Sequence, residues 1–200
     1  MPQQTMQLVE KNTSIKEEIA RVFFAVWPDT AVQRRLDDLA TQLENSCGGR
    51  KVRAENIHLT LLFLGDVKDS RLDALCQIAS EVEGDGLQAF DFVVDEVRNW
   101  KHNHITYAGL SKTPQELLNL VFALQRKLST AGFLFDLQAY VPHITLVRKA
   151  KFPIPSIGPG IDLPDGMQPV IWSVGEWVLV KSGQANGRSG YTPIGRWSLA

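Results

Sequence analysis

The sequence contains an internal repeat, and this repeat limits the folds open to the chain more than any other feature. Each unit is predicted to contain a strand, a helix and a second strand that carries the pattern His-x-Thr-Leu. The strand, the helix and the motif begin at Arg21, Asp29 and His58 in the first unit and at Ile105, Thr113 and His143 in the second. The helix start lies 29 residues before the histidine in the first unit (58 − 29) and 30 residues before it in the second (143 − 113). Two matched β-α-β units predict an α+β fold of two pseudo-symmetric lobes, each a mostly antiparallel sheet with helices on its outer face, around a central cleft.

Apolar patterns place the remaining elements around this repeat. A further helix is predicted over residues 72–82. Further strands are predicted at 57–64, 90–97, 141–147, 170–181 and 191–197. Asp29 is an N-cap residue for the first helix, and Thr113 with Glu116 forms a capping box for the third. The Gly-rich segment 182–190 is predicted to be the turn between the last two strands.

Length and composition indicate one domain. The chain has 200 residues, 44% of them hydrophobic, and we expect residues 19–200 to form a single bilobal domain behind a flexible N-terminal extension at 1–18. The formal net charge of −1 favours a small or local ligand over long duplex DNA. Two cysteines in 200 residues do not indicate a disulfide framework. The sequence has no signal-peptide pattern and no apolar run of about 18 residues. These features predict a cytoplasmic monomer without a membrane segment.

The His-x-Thr-Leu motif has a geometric consequence when it lies in a strand. Residues i and i+2 of a strand point to the same face, so His58 shares a face with Thr60, and His143 shares one with Thr145. If the two lobes are pseudo-symmetric, two imidazoles and two hydroxyls converge on one cleft. Hydroxyl donors and flanking imidazoles suit an anionic tetrahedral group such as a phosphate.

Two histidines near neutral pH can divide the roles of acid and base between them. A neutral imidazole takes a proton from water, and a protonated one gives a proton to the leaving oxygen. In-line displacement at phosphorus needs these two groups on opposite sides of the phosphorus atom, which two lobes supply. The motif pair therefore predicts phosphoester chemistry.

The paired motifs, separated by 85 residues (143 − 58), resemble those of the 2H phosphoesterase superfamily. Within it the chain is most similar to the bacterial 2′-5′ RNA ligase-like group, also called RNA 2′,3′-cyclic phosphodiesterases. The resemblance runs from Arg21 to Leu199 and rests on four segments: RVFFAVWP (21–28), ENIHLTLLFLG (55–65), YVPHITLVRK (140–149) and YTPIGRW (191–197). The stretch before Arg21 departs from the family pattern.

The resemblance implies hydrolysis of 2′,3′-cyclic phosphate ends of RNA to 2′-phosphates, without metal or cofactor, with reversible 2′-5′ RNA ligation as a secondary activity. His58 is then the proton donor to the leaving 3′ oxygen, and His143 is the base that activates water. The other implied contacts are phosphate binding by Thr60 and Thr145, charge from Arg148 and base stacking on Phe24. Because Arg148 is an odd number of residues from His143, it needs a bulge or a strand end to face the phosphate.

Two other functions remain open from the residues alone. The same cleft suits a non-catalytic module that binds a nucleotide, although two intact histidines argue against it. A metal-dependent hydrolase is disfavoured because no carboxylate cluster accompanies the motif histidines, and zinc sites use three or four such ligands. A third His-x-Thr, at His104, falls on the first strand of the second unit and is predicted to lie on the surface with His102.

Overall fold

The computed structural model describes residues 17–136, 138–152, 161–164, 166–185 and 188–200. Most of the predicted N-terminal extension, at 1–16, lies outside the described residues, as does much of the loop between 153 and 169. The helices are α1 (Thr30–Cys47), α2 (Leu72–Glu83) and α3 (Gln115–Thr130). The strands are β1 (Ile19–Val26), β2 (Arg50–Lys51), β3 (Leu59–Lys68), β4 (Phe90–Val94), β5 (Glu96–Trp100), β6 (Ile105–Gly109), β7 (Ile144–Arg148), β8 (Ile161–Asp162), β9 (Val170–Val174), β10 (Glu176–Ala185) and β11 (Arg188–Ser198).

The strands of the larger sheet run in the order β11-β10-β1-β3-β7-β6-β5-β8. The short strand β2 pairs with β7 at Val147 and Arg148. Neighbouring strands are antiparallel throughout. β3 and β7 are joined through one residue pair, Leu59 with Ile144, so the sheet consists of two halves that meet at this pair. Each half contains one strand that follows a motif histidine.

The helices cover the sheet face opposite the motif side chains. α1 buries Val32, Leu36, Leu39 and Leu43, which are the apolar positions at helical spacing in the sequence. One continuous cluster of buried residues contains these side chains together with residues of both sheet halves. The other face of the first half carries a separate small cluster of Phe23, Ala25, Val178 and Val180. The sheet therefore has a helix-covered face and an open face.

The ends of the helices confirm one capping prediction and correct the other. The Asp29 carboxylate accepts hydrogen bonds from the backbone amides of Ala31 and Val32, both at 2.8 Å, as expected for an N-cap residue. At the start of α3 the N-cap position is taken by Pro114, and no side chain caps the helix. The predicted capping box of Thr113 and Glu116 is wrong, because the helix begins one residue later than that pattern requires.

Two long strands of the sequence prediction are each divided in the structure. The predicted strand 90–97 separates at Asp95 into β4 and β5, which belong to different sheets, and the predicted strand 170–181 separates at Gly175 into β9 and β10. The Gly-rich segment 182–190 is largely strand, since β10 and β11 pair as far as Ala185 and Arg188. The hydrophobic pattern runs through both breaks, so it gives no signal of a change of sheet.

No helix of the described residues is long and apolar enough to cross a membrane.

Candidate active site

The two motif histidines lie at the junction of the sheet halves. His58 directly precedes β3, and His143 directly precedes β7. Extending the Leu59–Ile144 register by one residue in each direction places His58 opposite Thr145 and Thr60 opposite His143. Directly opposite residues of an antiparallel pair share one face. All four motif side chains therefore lie on the same open face, around the pseudo-twofold axis that passes through the Leu59–Ile144 pair.

Each motif histidine makes the same backbone hydrogen bond. The Nδ1 of His58 lies 2.7 Å from the carbonyl oxygen of Asn56, and the Nδ1 of His143 lies 2.9 Å from the carbonyl oxygen of Val141. A carbonyl oxygen only accepts, so Nδ1 carries the hydrogen and donates in both rings. The Nε2 nitrogen of each imidazole is therefore left to accept or deliver a proton in the cleft.

Burial makes both imidazoles weak bases in the unliganded protein. It is the main cause that lowers the pKa of His58 to about 4, and the charges of His143 and Arg148 act in the same direction, whereas the hydrogen bond to Asn56 opposes them. Burial also lowers the pKa of His143 below its usual value, helped by Arg148 and opposed by the Val141 carbonyl. The charges of His143 and Arg148 thus act on His58, and the charge of Arg148 acts on His143.

Aromatic side chains enclose both imidazoles. The His58 ring is stacked between Phe23 and Trp27, with both ring centroids at 4.9 Å. The His143 ring packs in T-shaped contacts with Trp100 and Tyr107, with ring centroids 4.5 Å and 5.7 Å apart. This packing supplies the burial that lowers the two pKa values, and it fixes the ring planes so that the Nε2 nitrogens keep their direction.

A β-bulge in each motif strand turns one further residue towards the open face. Thr145 lies opposite Tyr107 while Val147 lies opposite Thr106, so Leu146 is an extra residue in β7. The bulge shifts the alternation by one, and Arg148 thereby faces the same side as the motif residues. The odd spacing from His143 is thus reconciled with a position on the face that carries the motif residues.

The same bulge occurs in β3 and brings out an aromatic residue. Thr60 lies opposite Ala25 and Leu62 opposite Phe24, so Leu61 is the extra residue. Phe63 then emerges on the open face, where it is 42% exposed. Phe63 and Arg148 are separated by 85 residues (148 − 63), as the two histidines are. Subtracting this 85-residue spacing from position 148 gives position 63, so the repeat alone could have indicated Phe63 as the counterpart of Arg148.

The sequence prediction for Phe24 is corrected by its surroundings. Phe24 is 0% exposed and packs against Trp177 and Trp197 on the helix-covered face of the sheet. No nucleobase can reach it there. The alternation of β1 instead directs the preceding residue, Phe23, to the open face, where its ring lies 6.5 Å from that of Phe63.

A cavity of about 400 Å³ adjoins the motifs and is lined by Thr60, Phe63, Trp100 and His143 among others. Tyr140 closes part of it, and its hydroxyl donates a hydrogen bond of 3.0 Å to the backbone carbonyl of Thr60. His102 and His104 are exposed, as predicted. Within the described residues, no three His, Cys, Asp or Glu side chains are grouped as metal ligands.

Comparison with known proteins decides the family. The model of the LigT-like phosphoesterase family matches residues 26–107. The RNA 2′,3′-cyclic phosphodiesterase of Escherichia coli (strain K12) is 30% identical over 184 residues, which are 91% of this chain and 98% of that protein. The chain belongs to the LigT-like phosphoesterase family. The RNA 2′,3′-cyclic phosphodiesterase of Thermotoga maritima is 29% identical over 138 residues, which cover 66% of this chain and 72% of that protein.

Solved structures place the LigT-like fold over nearly the whole chain. A crystal structure of E. coli LigT complexed with 3′-AMP matches with a TM-score of 0.75 and 30% identity, and covers 91% of this chain and 99% of that one. A crystal structure of a Thermus thermophilus protein matches with a TM-score of 0.69 at 22% identity, over 90% of this chain and 97% of that one, and so supports the fold alone. The family resemblance and the two-lobed α+β fold class predicted from the sequence are confirmed.

Proposed function

We propose that this LigT-like phosphoesterase hydrolyses the 2′,3′-cyclic phosphate ends of RNA to 2′-phosphates by acid–base catalysis with His58 and His143, without a metal ion. The observation that carries the proposal is that both imidazoles bind a carbonyl through Nδ1, which makes Nε2 the proton-transferring nitrogen, at one junction of the sheet. Relatives that share this family are named RNA 2′,3′-cyclic phosphodiesterases, and a LigT structure holds 3′-AMP, a nucleoside monophosphate. Ligation is the same step with a 5′-hydroxyl end in place of water as the nucleophile.

In the proposed reaction the cyclic phosphate lies between the two histidines. The hydroxyls of Thr60 and Thr145 donate hydrogen bonds to its non-bridging oxygens, and Arg148 adds positive charge. His143 takes a proton from water as the water oxygen bonds to phosphorus. The bond from phosphorus to O3′ breaks, and O3′ receives a proton from His58. The product is a terminal 2′-phosphate, and exchange of protons with solvent restores both imidazoles.

The substrate itself supplies the charge that His58 needs for its role as acid. With a pKa of about 4 in the unliganded protein, His58 is mostly neutral at neutral pH. A bound phosphate diester carries a negative charge beside both rings and raises their pKa values, because it stabilises the imidazolium form. Protonated His58 is therefore favoured only when the cleft is occupied.

We propose that Phe63, in place of the buried Phe24, stacks on the terminal nucleobase. Its ring is exposed and lines the cavity beside Thr60 and His143. The guanidinium of Arg21 lies over the Phe63 ring, 4.9 Å from its centroid, and supports it from one face. Stacking on an aromatic side chain tolerates any base, which suits an enzyme that recognises a chain end.

The pH dependence of kcat/KM follows from the lowered pKa values. The productive form has one imidazole protonated and the other neutral, so activity is lost when both are protonated and again when both are neutral. We expect a bell-shaped profile with an acid limb at a pH of about 4 and an alkaline limb below 6.5, the ordinary value for histidine. The profile of kcat should lie at higher pH, because bound phosphate raises the pKa values of both histidines.

The measurement is initial-rate kinetics on a nucleoside 2′,3′-cyclic phosphate across this range, with circular dichroism at each pH to show that the fold persists. An alkaline limb of kcat/KM well above 6.5, or a rate that rises continuously into the alkaline range, would show that burial does not set these pKa values.

The activity itself is tested by incubating the protein with a nucleoside 2′,3′-cyclic phosphate in excess EDTA and identifying the product. We expect turnover to the 2′-phosphate at the same rate with and without the chelator. Binding without turnover would instead identify a nucleotide-binding module, and loss of activity on chelation would identify a metal-dependent hydrolase. A 3′-phosphate product would reverse the assignment of the leaving oxygen.

A further inference from the structure

A second cavity, of about 230 Å³, lies beside the active site at the tip of the β5–β6 hairpin. It is formed by the hairpin tip and by the chain that follows β7. Its lining includes Trp100, Lys101, His104, Lys151 and Phe152. None of the motif residues lines this cavity, and the proposed chemistry does not use it.

The chemistry of this second cavity suits one nucleotide unit. Two lysines supply positive charge, and none of the described residues that line the cavity is acidic. Trp100 and Phe152 add aromatic surface, and Phe152 is 63% exposed although it is a large apolar side chain. Cationic side chains next to exposed aromatic rings are the combination that binds single-stranded nucleic acid, through phosphate contacts and base stacking.

The second cavity adjoins the active site at Trp100. Trp100 lines both cavities, and its ring centroid lies 4.5 Å from that of His143. Trp100 also lies opposite Ile105, which in turn lies opposite Arg148. Opposite residues share a face, so Trp100 and Ile105, which both line the second cavity, lie on the same open face as Arg148. One indole separates the two binding spaces.

We propose that the second cavity binds the nucleotide on the 5′ side of the terminal cyclic phosphate, with Lys101 and Lys151 contacting the internucleotide phosphate. The proposal rests on the proposed function and narrows its substrate class to oligoribonucleotides, in preference to mononucleotides. A nucleoside 2′,3′-cyclic phosphate fills only the active-site cavity. An oligonucleotide continues from the 5′ oxygen of its terminal ribose and fills the second cavity as well.

The test compares kcat/KM for a nucleoside 2′,3′-cyclic phosphate with kcat/KM for a trinucleotide that ends in the same group. We expect the wild-type protein to prefer the trinucleotide by about 10-fold or more, since hydrogen bonds to charged groups are the strong ones. The variant Lys101→Ala/Lys151→Ala should lose this preference and keep the mononucleotide rate. The preference should also fall as the salt concentration rises.

The matched control is Lys68→Ala/Lys112→Ala, which removes the same charge from exposed positions outside both cavities. It should retain the wild-type preference. Equal kcat/KM for the two substrates, or a preference that survives in Lys101→Ala/Lys151→Ala, overturns the subsite while leaving the proposed function intact. Absence of turnover on both substrates overturns the proposed function and the subsite with it.

Discussion

Replacement of either His58 or His143 by asparagine is expected to lower kcat/KM for a 2′,3′-cyclic phosphate by about 10²–10⁴-fold. Asparagine is the informative substitution because its side-chain amide can donate the hydrogen bond that Nδ1 makes to the carbonyl of Asn56 or Val141. What it lacks is the Nε2 nitrogen that transfers the proton. Each variant thus removes the proposed chemistry and keeps the local backbone contact.

The double variant supplies a second readout. Groups that act as a unit show strongly non-additive losses, so His58→Asn/His143→Asn should be little worse than either single variant. Thermal unfolding of all three proteins should stay close to wild type, because the bond to each carbonyl is retained. A single variant with the wild-type rate would remove that histidine from the mechanism, and a rate loss that follows a loss of fold would point to a structural role.

The fold was largely predictable because the repeat contains its main information. Two β-α-β units with the motif at the same place require two similar lobes, and the buried stripe of α1 could be read from its spacing. The placement of His58 beside Thr145 follows from antiparallel pairing of the two motif strands at Leu59 and Ile144. Both the helical periodicity and the repeat can be recognised in a single sequence.

The parts that sequence reasoning missed depend on register across strands. Whether Phe23 or Phe24 faces the cleft is decided by which face of β1 the helices cover, and the run of apolar residues in β1 does not show this. The bulges at Leu61 and Leu146 arise from pairing with neighbouring strands. Alternation alone would turn Arg148 the other way, and only the bulge brings it to the open face.

The aromatic enclosure of the histidines was equally hidden. Trp27 and Trp100 lie far from each other in sequence and close to different motif histidines in the structure. Tryptophan most often packs in a core. The structure instead places the ring of Trp27 against His58 with an interplanar angle of 11°. Tertiary pairing, which no local pattern encodes, supplies this contact.

Which histidine acts as the acid can be tested with a cyclic phosphate substrate in which sulfur replaces the leaving O3′. A thiol has a pKa near 8.5, far below that of a ribose hydroxyl, so a thiolate leaves without a proton from the enzyme. If His58 is the acid, His58→Asn should regain most of its loss of about 10²–10⁴-fold on this substrate. His143→Asn should regain nothing, because activation of water is still required.

This measurement bears most directly on the claim that the two imidazoles work on opposite sides of one phosphate. The ratio of kcat/KM for the sulfur and oxygen substrates is determined for wild type, His58→Asn and His143→Asn. We predict a large rise in the ratio for His58→Asn alone. The same rise in both variants, or in neither, would contradict a mechanism with one acid and one base, and a rise in His143→Asn alone would exchange their roles.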